Sequence, residues 1–391
     1  MLPPKSAVIG GIVAVPSKVR ATGRTRQSSF YLPELDSLRF FAFFAVFLCH
    51  IPVAANWEYV LHRPESFGVQ KILHSAFDAG GFGVDLFFAL SAYLITELLM
   101  QEKERFGSVN VYKFYLRRIL RIWPLYFAFI AGFYLFSRFT GLLAIAFMLF
   151  MGNLMFPIVF WNLPLGAQIL WSISLEEQFY LVWPHIVRFL HRGNLLAAGI
   201  ILWAATIVFR YLTYRHGKTP FMIWYFSPAR LDPLACGILI SVLLHGTGNN
   251  PFARFRPVML VVGAACWLLT SLSNYREADA SAATVIVAYI LIALGAGAFM
   301  LSAIGLRESR FLNPWLIYLG RISYGLYMFH ATVLTMVARH LQDLPVWIKW
   351  PIYPPLGLAI TVICAAASYQ WFESPFLRLK RHFQYINSAP E

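Results

Sequence analysis

Long apolar stretches divided by short basic connections leave this chain few ways to fold. Eleven such stretches run at about 36–56, 78–100, 121–138, 141–157, 172–190, 195–213, 231–245, 257–273, 283–304, 320–339 and 350–372. A helix needs about 20 apolar residues to cross hydrocarbon, and most of the eleven reach that length. The basic connections are the N-terminal segment, 101–121, 188–194, 246–256, 305–321 and a C-terminal tail carrying Arg378, Lys380 and Arg381. Lysine and arginine gather on the cytoplasmic side of membrane proteins, so all six are expected there. The number of crossings between 101–121 and 188–194 must then be even, yet three stretches lie between them. The shortest, 141–157, is interrupted by Gly152, Asn153 and Pro157 and is expected to be re-entrant or interfacial.

The expected fold is therefore all-α. It is a polytopic integral membrane helical bundle of about ten transmembrane helices plus one short re-entrant or interfacial segment. Both termini are expected in the cytoplasm and the protein in the cell (inner) membrane. Residues 1–30 read as a basic, mobile cytoplasmic tail, 31–376 as the transmembrane domain and 377–391 as a basic cytoplasmic C-terminal tail. Loops 57–77, 158–171, 214–230, 274–282 and 340–349 then face outward.

Composition agrees. Apolar residues make up 59% and charged residues 13%, against about 25% charged in soluble domains. The net charge of +14 belongs to the inward-facing connections, and no nucleic-acid-binding motif accompanies it. Cys49, Cys236, Cys266 and Cys364 lie singly within apolar stretches, and no HxxxH or HExxH pattern occurs, so neither a redox site nor a metal site is expected.

Ionisable groups inside hydrocarbon are costly, which makes each one a candidate for function. Arg39 and His50 share the first stretch. Eleven residues bring them to one helix face about 16 Å apart. Singly, Arg39 reads as a snorkelling anchor and His50 as a helix–helix hydrogen bond; together they suggest a polar path. Arg118 and Arg121, at i and i+3 before Trp123-Pro124, offer the bidentate donors that suit phosphate. Asp85, Glu176 and Glu177 are expected near the outer boundary, level with His50, where a carboxylate would orient an imidazole. Pairing of these acids with Arg230 is the structural alternative. His330 and Asp232 read more readily as structural than as catalytic.

The chain resembles the membrane acyltransferase-3 family over about residues 31–376. The marks are Arg39-x10-His50, Gly83-Val-Asp-Leu-Phe-Phe with Leu90-Ser-Ala-Tyr-Leu-Ile-Thr96, and Arg118-x-x-Arg121 with Trp123-Pro124. Trp171-Ser-Ile-Ser-Leu-Glu-Glu-Gln-Phe-Tyr180, Arg230-Leu-Asp232 and Ile322-Ser-Tyr-Gly-Leu-Tyr-Met-Phe-His330 complete them. Ala92 and Pro233 stand where the family usually has glycine. The resemblance implies O-acyl transfer, of acetyl in particular, from cytoplasmic acyl-CoA as co-substrate, with no bound cofactor. The implied acceptor is a hydroxyl of a carbohydrate, a lipid-linked glycan or a small molecule. It also implies an essential arginine and histidine in the first span.

The expected catalytic residues are His50 as general base, with Asp85 or Glu176 supporting it. Arg39, Arg118 and Arg121 are expected to bind acyl-CoA. Glu177, Tyr180, Arg230, Asp232, Tyr324 and His330 are secondary candidates. A proton-coupled transporter using the same intramembrane groups is the competing class, weakened by the lack of clear inverted repeats.

Overall fold

The computed structural model describes residues 30–55, 68–136, 139–159, 163–247, 250–277, 279–306 and 312–384. The N-terminal tail expected over 1–30 lies, except for Phe30, outside the described residues. Those residues form an all-helical membrane bundle, as expected. In chain order the helices are α1 (Pro33–Ala54), α2 (Val69–Ala79), α3 (Gly83–Phe106), α4 (Val111–Phe136), α5 (Gly141–Met148) and α6 (Gly152–Val159). Then come α7 (Leu165–Gln168), α8 (Leu170–Phe189), α9 (Arg192–Arg215), α10 (Pro220–Tyr225), α11 (Asp232–Leu244) and α12 (Arg256–Leu272). The last are α13 (Ala282–Ala303), α14 (Pro314–Arg321), α15 (Ser323–His340), α16 (Val346–Ala367) and α17 (Ser374–Arg381).

Seven of these, counting α2–α3 and α16–α17 as continuous helical rods, are long and apolar enough to cross a membrane. α8, α11 and α15 occupy the other three places where spans are expected. α11 has only 13 residues, and Glu176, Glu177 and Gln178 lower the hydropathy of α8. α5 and α6 have eight residues each, about 12 Å, and form a short hairpin rather than a crossing. Phe150 turns that hairpin with a left-handed φ of 56° and stacks on Tyr126 at 4.8 Å between ring centroids.

Helix starts follow local chemistry. Thr140, Ser281 and Asn313 cap α5, α13 and α14 through their side-chain oxygens. Pro233 falls in the first turn of α11, where a missing N–H costs nothing. Ala92 is fully buried where α3 crosses α11 at Gly237. Both departures from the family pattern are thus accommodated by the helices around them.

Close approach is concentrated at α1. A Cβ on Gly320 would collide with the Asp36 carbonyl oxygen, and one on Gly83 with that of Ala42. α14 and α3 therefore press directly on the α1 backbone, as small residues permit in membranes. α1, α3, α4, α8 and α15 surround the interior where the ionisable groups gather.

Candidate active site

Arg39 lies two turns into α1, Arg118 and Arg121 lie on α4, and Glu176 and Tyr180 lie on α8; all five line one cavity. Ser172 of α8 and Ser323, Tyr324 and Tyr327 of α15 close it. Its volume is about 90 Å³, room for several waters. That admits a small acyl thioester but leaves anything as large as a nucleotide at the mouth.

The cations there are under-neutralised. Arg39 faces Asp36 at 3.4 Å. Arg118 lies over the rings of Phe114 at 5.5 Å and Tyr180 at 5.1 Å. Among the described residues, neither Arg118 nor Arg121 has a carboxylate within 4.0 Å. The Glu176 carboxylate instead accepts the Tyr180 hydroxyl. Glu177 accepts Trp123 Nε1–H at 3.0 Å, and its second oxygen is buried without a partner among the described residues.

Sequence reasoning missed one contributor. A π-helical stretch, Ser368–Glu373, carries α16 into α17, and α17 packs on α4. Arg117 there donates to the Phe383 carbonyl at 2.9 Å and pairs with Glu102 at 3.2 Å. Lys380 thereby falls within the field of Arg121, Arg118, Arg117 and Arg39. The C-terminal segment begins as a docked helix. In the sequence Lys380 signals only sidedness, because nothing local reveals its docking.

The acids do not lie where expected. Trp123 is twelve residues from the start of α4, and Glu177 is twelve from the end of α8. Both positions are about 18 Å along their helices. The two ends lie together, since the Tyr115 hydroxyl meets His185 Nε2 at 2.9 Å. Glu176 and Glu177 therefore share the level of the arginines instead of facing them across the bilayer. The cause is that α4 begins ten residues earlier than its apolar stretch and lifts Arg118 and Arg121 well above the helix end.

His50 lies beyond this cavity. Phe43 and Val46, on the face between Arg39 and His50, are fully buried and fill the interval. His50 Nδ1 is 2.8 Å from the Val46 carbonyl, and His330 Nδ1 is 2.6 Å from the Tyr327 carbonyl. The two imidazoles stand 5.0 Å apart between ring centroids. Ring contacts link this pair to the cavity: Phe87 meets Tyr327 at 6.0 Å, and Tyr327 meets His330 at 5.4 Å.

The expected carboxylate on His50 is replaced by a backbone carbonyl. Asp85 lies 2.9 Å from Arg230, and Asp232 lies 2.7 Å from Arg210. Arg230 and Arg210 also stack on Trp224 and Tyr289. This knot joins α3, α9, α11 and α13, so Asp85, Arg230 and Asp232 take the structural alternative. Among the described residues, no group of three or more His, Cys, Asp or Glu side chains is placed to hold a metal.

Fold and cavity define a class: a multi-pass membrane protein with a cationic chamber inside its helical bundle. Residues 32–370 match the family model described as an acyltransferase domain, and the chain belongs to the acyltransferase-3 family. A peptidoglycan O-acetyltransferase of Listeria monocytogenes is 27% identical over 390 residues, covering 90% of this chain and 56% of that protein. A putative O-acetyltransferase of Staphylococcus aureus is 24% identical, covering 88% and 57%. A putative peptidoglycan O-acetyltransferase of Bacillus subtilis is 26% identical, covering 88% and 55%. The chain thus spans little more than half the length of these relatives. No solved structure matches it.

Proposed function

We propose that this protein transfers an acetyl group from acetyl-CoA to a carbohydrate hydroxyl, with His50 as general base. The carrying observation is the cavity that gathers Arg39, Arg118 and Arg121, with Lys380 within their field and His50 further along the helix that bears Arg39. Crowded cations with few carboxylates suit a polyanion, and guanidinium groups match phosphate oxygens. The positive-inside rule assigns that mouth to the cytoplasm, where acyl-CoA is found. The relatives' names supply acetyl as the group and a cell-wall glycan as the acceptor class.

In this reading the arginines and Lys380 hold the CoA phosphates. The pantetheine arm passes Phe87 and Tyr327, whose rings move aside, and the thioester reaches His50. A carbonyl oxygen only accepts hydrogen bonds, so the one at Val46 fixes the proton of His50 on Nδ1 and leaves Nε2 as the basic atom. His50 Nε2 takes the proton of an acceptor hydroxyl while the oxygen attacks the thioester carbonyl. The carbon–sulfur bond breaks, and the departing thiolate receives that proton.

The test uses purified protein in lipid nanodiscs, radiolabelled acetyl-CoA and glycan-strand fragments. Expected are acetyl ester and free CoA thiol in equal amounts. Replacing His50 by Gln should lower the rate at least about a hundredfold with CoA affinity unchanged. Full activity in that variant removes the base assignment. Solute flux under a proton gradient without ester product would favour the transporter reading.

A further inference from the structure

Two histidines, not one, present an unprotonated nitrogen at the far end of the site. The Tyr327 carbonyl fixes the His330 proton on Nδ1 as the Val46 carbonyl does for His50. Each neutral ring is then left with a lone pair on Nε2. Neither can donate to the other, so the pair cannot satisfy itself although the rings are 5.0 Å apart. His330 is fully buried, and its Nε2 has no hydrogen-bond partner among the described residues. A buried acceptor left unsatisfied is costly, so its environment suits a donor brought by a ligand.

We infer that the His50–His330 pair receives two donors of one acceptor, the hydroxyl that is acylated at His50 and a second hydroxyl or amide N–H at His330. This rests on the acyl-transfer reading above. One hydroxyl gives its proton to His50 Nε2, and its oxygen forms the ester as the carbon–sulfur bond breaks. The second donor gives a hydrogen bond to His330 Nε2 and keeps its proton. His330 therefore selects and orients the acceptor and exchanges no proton itself. Phe43, edge-on to His330 at 5.9 Å, and Tyr327 supply the apolar walls that the acceptor would face.

The experiment compares trans-1,2-cyclohexanediol, cyclohexanol and water as acceptors of acetyl from acetyl-CoA. The wild-type protein should favour the diol over cyclohexanol by at least about tenfold in kcat/KM, because a site built for a hydroxyl rejects the analogue lacking it. In His330→Phe the KM for the diol should rise and the preference for it over cyclohexanol should vanish. His330→Gln, which keeps an accepting oxygen, should restore part of the preference. Equal rates for both alcohols in the wild type overturn the inference, and so does an equal loss toward all three acceptors in His330→Phe. Absence of acetyl transfer to any acceptor, water included, overturns the acyl-transfer reading along with it.

Discussion

The Arg230 guanidinium lies 2.9 Å from Asp85 and 3.9 Å above the centre of the Trp224 ring, and both charged side chains are fully buried. The pair is close without being aligned as a hydrogen bond, so the contact is chiefly coulombic, and aromatic faces share the cation. Removing one partner of such a pair leaves the other charge stranded, which costs about 3–5 kcal/mol. Asp85→Ala and Arg230→Ala should each lower the unfolding temperature in detergent sharply. The fraction that folds should still bind CoA, because neither residue lines the cationic cavity. A variant of normal stability and no activity would instead return Asp85 to the chemistry.

CoA affinity should follow the cations individually. Arg118→Ala and Arg121→Ala should each weaken it about tenfold, the worth of one charge-assisted phosphate contact of about 1.4 kcal/mol. Lys380→Ala should weaken it severalfold, since its amine shares a field already set by four arginines. Titration calorimetry with CoA checks the order. Equal affinities throughout would mean that these cations mark sidedness and nothing more.

What could be read from the chain alone divides along a physical line. Features set by local periodicity were legible: the apolar stretches that became α1, α3 and α13, and the common helix face of Arg118 and Arg121. Partners supplied by distant segments were less so: pairing with Arg230 stood as one alternative among several, and the docking of Lys380 left no signal. Arg230 and Asp85 meet only because α11 crosses α3, and Lys380 reaches the arginines only because α17 docks on α4. Depth was misjudged for a third reason. Hydropathy marks where a helix is apolar, whereas α4 starts at Val111, before its apolar stretch. That offset carries Arg118 and Arg121 up to the level of Glu176. His330 was seen but undervalued, because one histidine mid-helix says nothing of a second one beside it.

Stability should also respond to pH at the end of α11. His245, just past that helix, turns Nδ1 toward Glu97 at 2.9 Å and Nε2 toward Glu104 at 2.9 Å. The hydrogen bond to Glu97, more than that to Glu104, raises the His245 pKa above its ordinary value against the opposing effect of burial. A group with a raised folded-state pKa gives its full stabilisation below its unfolded value, here about 6.5, and loses it as pH rises through the folded value. The unfolding temperature of the wild type should therefore fall as pH rises above about 6.5 more steeply than that of His245→Gln. Parallel curves would show that the two carboxylates do not hold a proton on this ring.

Two glycine substitutions separate packing from propensity. At Gly320 a methyl group would strike the Asp36 carbonyl oxygen, whereas at Gly132, inside α4, it would meet nothing within 4 Å. Gly132→Ala should leave stability unchanged or raise it by up to about 1 kcal/mol, since alanine is the better helix former. Gly320→Ala should cost about 1–3 kcal/mol, because α14 must move away from α1. Asp36 is also the residue that faces Arg39 at 3.4 Å. A shift of the α1 backbone there displaces Arg39, so Gly320→Ala should weaken CoA binding as well as stability. Gly132→Ala should leave binding untouched. Thermal unfolding and CoA titration on the same samples decide it: a loss of stability without loss of affinity would mean that Arg39 takes no part in holding the donor.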